Sequence, residues 1–306
     1  MENYPIDLHM HSSFSDDGSE SPERLAALCR DAGIQVMAIA DHNTVRALPA
    51  EEKATGDYGM PFIPAIEIDC RFRGVNFHVL GYGFDWHDPI FARIEKNVAE
   101  QNREASYVRL KKFQELGYAL RAGEMAQAAA VLSDPSNWTG ELFAQVLLAR
   151  PEYRADPRLL PYRPGGARSA NPYVNFYWDF CAQDKCCYAP MEYPALESVV
   201  KTLHQTGGLA VLAHPGANLP GHETLLEPLL AAELDGIEAF SSYHLAEQQR
   251  YYAGVARAHH LLATCGSDYH GKTKPSIALG QHGCPLPPQS MEQALLSRGL
   301  LHRAVF

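Results

Sequence analysis

Short apolar runs alternate with amphipathic stretches at the start of the chain. Ile6 to His11 predicts a short strand. Ser21-Pro22-Glu23 then opens a helix, with Ser21 placed to cap it and Pro22 at its first position. Leu25, Leu28, Cys29 and Ala32 give that helix one apolar face, and Gly33 ends it. Val36 to Ala40 is an apolar run of strand length that stops at Asp41-His42, and 62–68 and 77–81 are two further candidate strands around a turn at Gly74.

From Asp88 the period changes. Residues 89–116 predict one long, charge-rich helix closed by Gly117, and 121–150 two shorter ones, the second opening around Ser136-Asn137-Trp138. A connection rich in Pro, Gly and Arg (161–168) leads into an aromatic, cysteine-bearing stretch from Tyr173 to Tyr188. Alternation resumes with a helix over 196–205, then strands at 209–213, 236–240 and 261–266 with helices between them. The pattern is α/β: seven strands, one unit short of the common eight-stranded βα-barrel. Residues 1–85 and 195–306 would form the barrel and 86–194 a helical insertion. That insertion enters between the fourth and fifth strands, so it is expected to leave the barrel face that carries His78 and His214 and to fold over it.

The polar residues fall in a definite place on this pattern. His9 and His11 are two apart on a strand and share a face. Asp16 follows in the next loop, Asp41-His42 ends the second strand, Glu67 belongs to the third and His78 to the fourth. His214 ends the fifth strand, Asp268 and His270 the seventh, and the sixth carries Glu238 with His244 just beyond. Active-site residues of βα-barrels come from the carboxyl ends of several strands. Six of the 14 histidines and three carboxylates in this arrangement suit zinc, manganese or iron. Nine ligands exceed what one ion takes, so two or three divalent ions are expected, with Glu67 shared between them.

Composition narrows the class. Of 306 residues, 46% are hydrophobic and 20% charged, an ordinary globular balance. The net charge of −10 argues against tight binding of long nucleic acid. No apolar run approaches a membrane span and no secretory signal opens the chain. The odd count of seven cysteines, with no framework spacing, reads as free thiols in a cytoplasm. Cys181, Cys186 and Cys187 are a poor zinc set and read as packing residues. Arg103, Arg109, Lys111 and Lys112 on the long helix read as a solvated face, with reach to the substrate as the alternative. The sequence fixes no oligomeric state.

The runs Asp7-Leu8-His9-Met10-His11-Ser12, Asp16-Asp17-Gly18, Ala40-Asp41-His42-Asn43, Ile66-Glu67-Ile68, His214-Pro215-Gly216 and Gly266-Ser267-Asp268-Tyr269-His270-Gly271 resemble the four-motif signature of the PHP (polymerase and histidinol phosphatase) superfamily, in particular its stand-alone nucleoside 3′,5′-bisphosphate phosphatase-like branch. The resemblance implies a distorted seven-stranded barrel with a trinuclear metal centre. It assigns His9, His11, Glu67 and Asp268 to one metal, Glu67, His78 and His214 to a second, and Asp16, His42 and His270 to a third. It also implies that His244 sits beside the phosphate as a donor or acid, and Asp41 is read as orienting a ligand. The implied reaction is hydrolysis of a phosphate ester of a small metabolite, a nucleotide or ribose phosphate, as monoester or cyclic diester, by metal-activated hydroxide. A 5′-end exoribonuclease on short RNA and a metal-bound but non-catalytic interaction module are the alternatives. Relatives that act on nucleotides tend to carry a basic residue where Gln145 stands. Trp138, Tyr173, Phe176, Tyr177 and Trp178 could stack on a base or pack as a lid.

Overall fold

A computed structural model of the chain describes residues 3–132 and 134–306. The strands are β1 (Ile6–Met10), β2 (Val36–Ile39), β3 (Ala65–Phe72), β4 (Val75–Tyr82), β5 (Leu209–Leu212), β6 (Gly236–Ser241) and β7 (Leu262–Gly266). They form two sheets, a parallel β1–β2 pair and a five-stranded sheet ordered β3-β4-β5-β6-β7. The expected α/β class with seven strands is what forms, its strands divided between these two sheets. Single bridges join the sheets at both seams, Met10 to Tyr269 and His42 to Glu67. Both lie at the ends where the ligand-type residues cluster, so the backbone is held closest there.

The order also departs from a uniform βα repeat at β3–β4, for a local reason. Arg73 and Gly74 have φ of 48° and 86°, the left-handed pair that closes a two-residue hairpin. β4 therefore runs antiparallel to both β3 and β5, with Val79 opposite Leu212 and Tyr82 opposite Leu209. Its far end lies where β5 begins, opposite His214. The insertion thus leaves from the opposite face to the one expected. One helix corrects the direction: α1 (Pro89–Glu115), capped by Asp88 on Ile90 N, is 27 residues long and rises about 40 Å. That length carries the chain back past the strands to the face where the ligand-type residues cluster, where Asn102 meets Asp16. The insertion rejoins at the hairpin, where Arg71 N donates to Pro194 O and Gln183 holds Asn76 N and Gly74 O.

Of the four hydrophobic clusters among the described residues, two are the largest. One joins the strands through Ile6, Leu8, Phe77, Leu80, Tyr82, Val211, Ile237 and Phe240. The other is built from Phe113, Trp138, Phe143, Phe176 and Cys181 inside the insertion. α2 (Ala122–Ala129) and α3 (Gly140–Ala149) pack there, and Thr139 caps α3 on Leu142 N. Phe176 and Trp138 are committed to this core and are not stacking surfaces. All seven cysteines are free thiols, and Cys181 packs so closely on Gly140 that a Cβ there would sit 2.9 Å from its sulfur. No helix of the described residues is long and apolar enough to cross a membrane.

Candidate metal centre

β1 brings His9 and His11 out on one face, β3 and β4 bring Glu67 and His78, and the ends of β2, β5 and β7 bring the rest to them. His9 Nε2 and His11 Nε2 face each other at 3.1 Å. Glu67 Oε2 lies 3.3 and 3.2 Å from them, and Asp268 Oδ1 3.4 and 3.2 Å. Glu67 turns its other oxygen to His78 Nδ1 and His214 Nε2, both at 2.9 Å. His11, Asp17, His42 and His270 form a further group, and His42, Asp69 and His78 another. Glu67 is wholly buried, and although burial opposes its charge, His9, His42 and His78 hold its pKa well below the usual carboxylate range. Two ring nitrogens pointed at one another across two carboxylate oxygens, with Asp17 Oδ1 and Asp268 Oδ1 buried and without hydrogen bonds, is an arrangement that cations would satisfy. The donor set fits divalent ions.

The rings are aimed by their second nitrogens. His9 Nδ1 meets Glu238 Oε1 at 2.9 Å, His11 Nδ1 meets Ser15 Oγ at 2.9 Å, and His214 Nδ1 meets Asn218 Oδ1 at 2.8 Å. His270 Nδ1 donates to Asp268 O at 2.9 Å. Each contact leaves Nε2 facing the cluster, the usual way a ligating histidine is fixed. The backbone is strained where it delivers ligands: His214 and Asp268 have φ of 21° and 56°.

Eight of the nine ligand positions read from the sequence come together in these groups; the ninth is displaced by one residue. Asp17, and not Asp16, stands with His11, His42 and His270, its Oδ2 3.1 Å from His270 Nε2. The loop is tight at this point, since any Cβ on Gly18 would lie 1.9 Å from Ser12 O. Asp16 instead meets Asn102 of α1 at 3.2 Å, and burial beside Asp17 lifts its pKa to about 7. His244 is not placed as a donor to substrate. Its Nδ1 donates to Ala239 O at 3.0 Å and its Nε2 accepts from Gly216 N at 2.9 Å, so both nitrogens are used by backbone. Asp41 accepts from Ser12 N and Oγ, both at 2.6 Å, and so fixes the turn after His11.

Sequence reasoning missed Lys274. It is buried, its Nζ pairs with Asp268 Oδ2, and it lies over the Tyr243 ring at 5.1 Å. Its place four residues after His270, in the same loop, was the available signal. The ligand-type residues open into a cavity whose other wall is the insertion: Asn102 and Arg109 of α1, Asn137, Thr139, Tyr177 and Trp178. Gln145 lines a separate crevice.

The chain is similar to known proteins. A family model described as PHP domain matches residues 7–156. The chain is 30% identical to the phosphoribosyl 1,2-cyclic phosphate 1,2-diphosphodiesterase of Eggerthella lenta, covering 87% of this chain and 94% of that one. It is 28% identical to the 5′-3′ exoribonuclease Rnm of Escherichia coli (91% and 90% covered) and 29% identical to the 3′,5′-nucleoside bisphosphate phosphatase of Chromobacterium violaceum (92% and 93%). In fold it is similar to a solved amidohydrolase from Chromobacterium violaceum with bound sulfate, at a TM-score of 0.75 and 23% identity, covering 95% and 96% of the two chains.

Proposed function

This chain belongs to the PHP domain family and is a metal-dependent phosphoesterase, and we propose that its substrate is a small phosphorylated metabolite held in the cavity between strand ends and insertion. The observation that carries the proposal is that cavity. One wall carries His42, His78 and His214 of the cluster with Asp17, Glu67, Asp69 and Asp268, and the other is a separate unit with its own core.

We assign His9, His11, Glu67 and Asp268 to one ion, Glu67, His78 and His214 to a second, and Asp17, His42 and His270 with His11 to a third. Bound divalent ions supply an activated water and neutralise the phosphoryl oxygens. The chain's own residues do the positioning. Glu238, Ser15 and Asn218 fix the imidazoles, and Lys274 adds a positive charge on the cavity floor beside Asp268. The insertion excludes solvent and contacts the part of the substrate remote from phosphorus, with Tyr177 and Trp178 the aromatic residues placed to pack on a base or sugar.

The relatives' names span a cyclic phosphodiesterase, a bisphosphate phosphatase and exoribonucleases. The test is phosphate release by manganese-reconstituted protein across nucleotides, sugar phosphates, cyclic ribose phosphates and long RNA. Turnover of a small ester with little action on long RNA is expected. Efficient 5′-end cleavage of RNA would transfer the assignment to the exoribonuclease reading.

A further inference from the structure

Arg109 looks from the sequence like part of a solvated helix face, yet it is 8% exposed and lines the cavity. It is also poorly satisfied. One terminal nitrogen donates to Trp138 O at 3.3 Å, while the buried Nε has no partner. Among the described residues no carboxylate lies within ion-pairing distance of it, although Arg46, Arg150, Arg158 and Arg168 all have one. A buried guanidinium without a counter-charge is costly, and five fixed donors match the oxygens of a phosphate or carboxylate. The cavity's other permanent cation, Lys274, is already paired with Asp268.

The helix sets where this charge stands. Asn102, Ser106 and Arg109 share one face of α1 at spacings of four and three residues. Asn102 meets Asp16 beside the metal ligands, and Ser106 Oγ accepts from Trp138 N at 2.8 Å, holding the segment whose carbonyl Arg109 grips. Seven residues of helix rise about 10 Å, and long side chains lean back toward the helix start, so the guanidinium stands several ångströms from the cluster. Asn137, between them, also presents a buried Oδ1 without a partner to the same cavity.

We propose that Arg109 is the seat of a second anionic group of the substrate, phosphate or carboxylate, so that the cavity selects molecules with an anion at each end, one on the metal cluster and one on α1. This rests on the phosphoesterase reading, and the test separates the two. Calorimetry on the manganese-reconstituted full chain would compare alkyl monophosphonates with α,ω-bisphosphonates and phosphonocarboxylates of the same two-, four- and six-methylene lengths. At one length a doubly anionic probe should bind at least about tenfold tighter than the monophosphonate, the effect of one or two charge-assisted hydrogen bonds. In Arg109→Gln that ratio should fall to within about twofold of unity, and Arg109→Lys should restore part of it. No preference at any length in the wild-type protein, or a preference that persists in Arg109→Gln, would overturn the proposal. If the binding pattern holds while no phosphate ester is hydrolysed, the anion seat stands and the phosphoesterase reading falls.

Discussion

Glu238→Gln changes one atom and no volume, yet it should disable the metal centre. Glu238 is wholly buried and does two things at once: Oε1 accepts from His9 Nδ1 at 2.9 Å, and Oε2 accepts from His214 N at 2.8 Å. Both contacts need an acceptor, and a glutamine has only one. If its oxygen takes the His214 N–H, the amide group faces His9 Nδ1 and is satisfied only when the His9 proton moves to Nε2, the atom aimed at His11, Glu67 and Asp268. If the oxygen stays on His9, two donors face each other at His214. A buried donor left unpaired costs about 1–3 kcal/mol. At about 1.4 kcal/mol per tenfold, that predicts manganese affinity weaker by roughly 10- to 100-fold, the usual scale for residues that orient metal ligands. In chelator His9 can place its proton toward the cluster, so the thermal midpoint of the metal-free protein should move little. Calorimetric manganese titration and melting curves with and without chelator read both quantities. Affinity within about twofold of wild type would refute the reasoning, and an equal loss of stability in chelator would mean that Glu238 serves the fold and not the metals.

Asp17→Asn should lower metal occupancy on elemental analysis, whereas Asp16→Asn should leave it within a few-fold of wild type; the reverse would restore the spacing read from the sequence. Gly266→Ala would put a Cβ 2.2 Å from that of His9 and 2.6 Å from Glu238 Oε1, so it should destabilise the fold by about 1–3 kcal/mol in denaturant and weaken metal binding with it. Glu51, wholly buried with only Ile39 N as a partner, has its pKa raised well above the ordinary 4.5 by burial and by Asp41. Its contribution to stability is complete below that ordinary value and is lost as pH rises through the folded-state value. Glu51→Gln should therefore leave the melting point near pH 5 almost unchanged and raise it at pH 8, and equal shifts at both would contradict the protonated assignment.

How much of this was legible depended on whether the signal was local. The ligands that end β1, β2 and β7 could be read because strand periodicity alone puts His9 and His11 on one face and Asp41-His42 and Asp268 at run ends. Asp16 against Asp17 was not, because the two are adjacent in one loop and only its fold, with Gly18 packed against Ser12 O, shows which of them stands with His270. The direction of β4 was hidden as well. The turn at Gly74 could be seen, but its consequence, that the insertion starts at the far face and needs a long helix to return, required the pairing of β4 with β5. Arg109 looked solvated because α1 is charged on most faces, and only the packing of Ser136–Trp138 against Ser106 shows which face is covered. His244 sat in the expected loop, but two backbone contacts that sequence cannot show use both of its nitrogens.

The most direct test of the central claim is phosphate release from an aryl phosphate while chelator-stripped protein is titrated with manganese. The account predicts no turnover without metal and a rise that saturates beyond one equivalent per chain, nearest three, because the imidazoles and carboxylates fall into several ligand groups sharing Glu67 and His11. Turnover by the stripped protein, or saturation at a single equivalent, would contradict it.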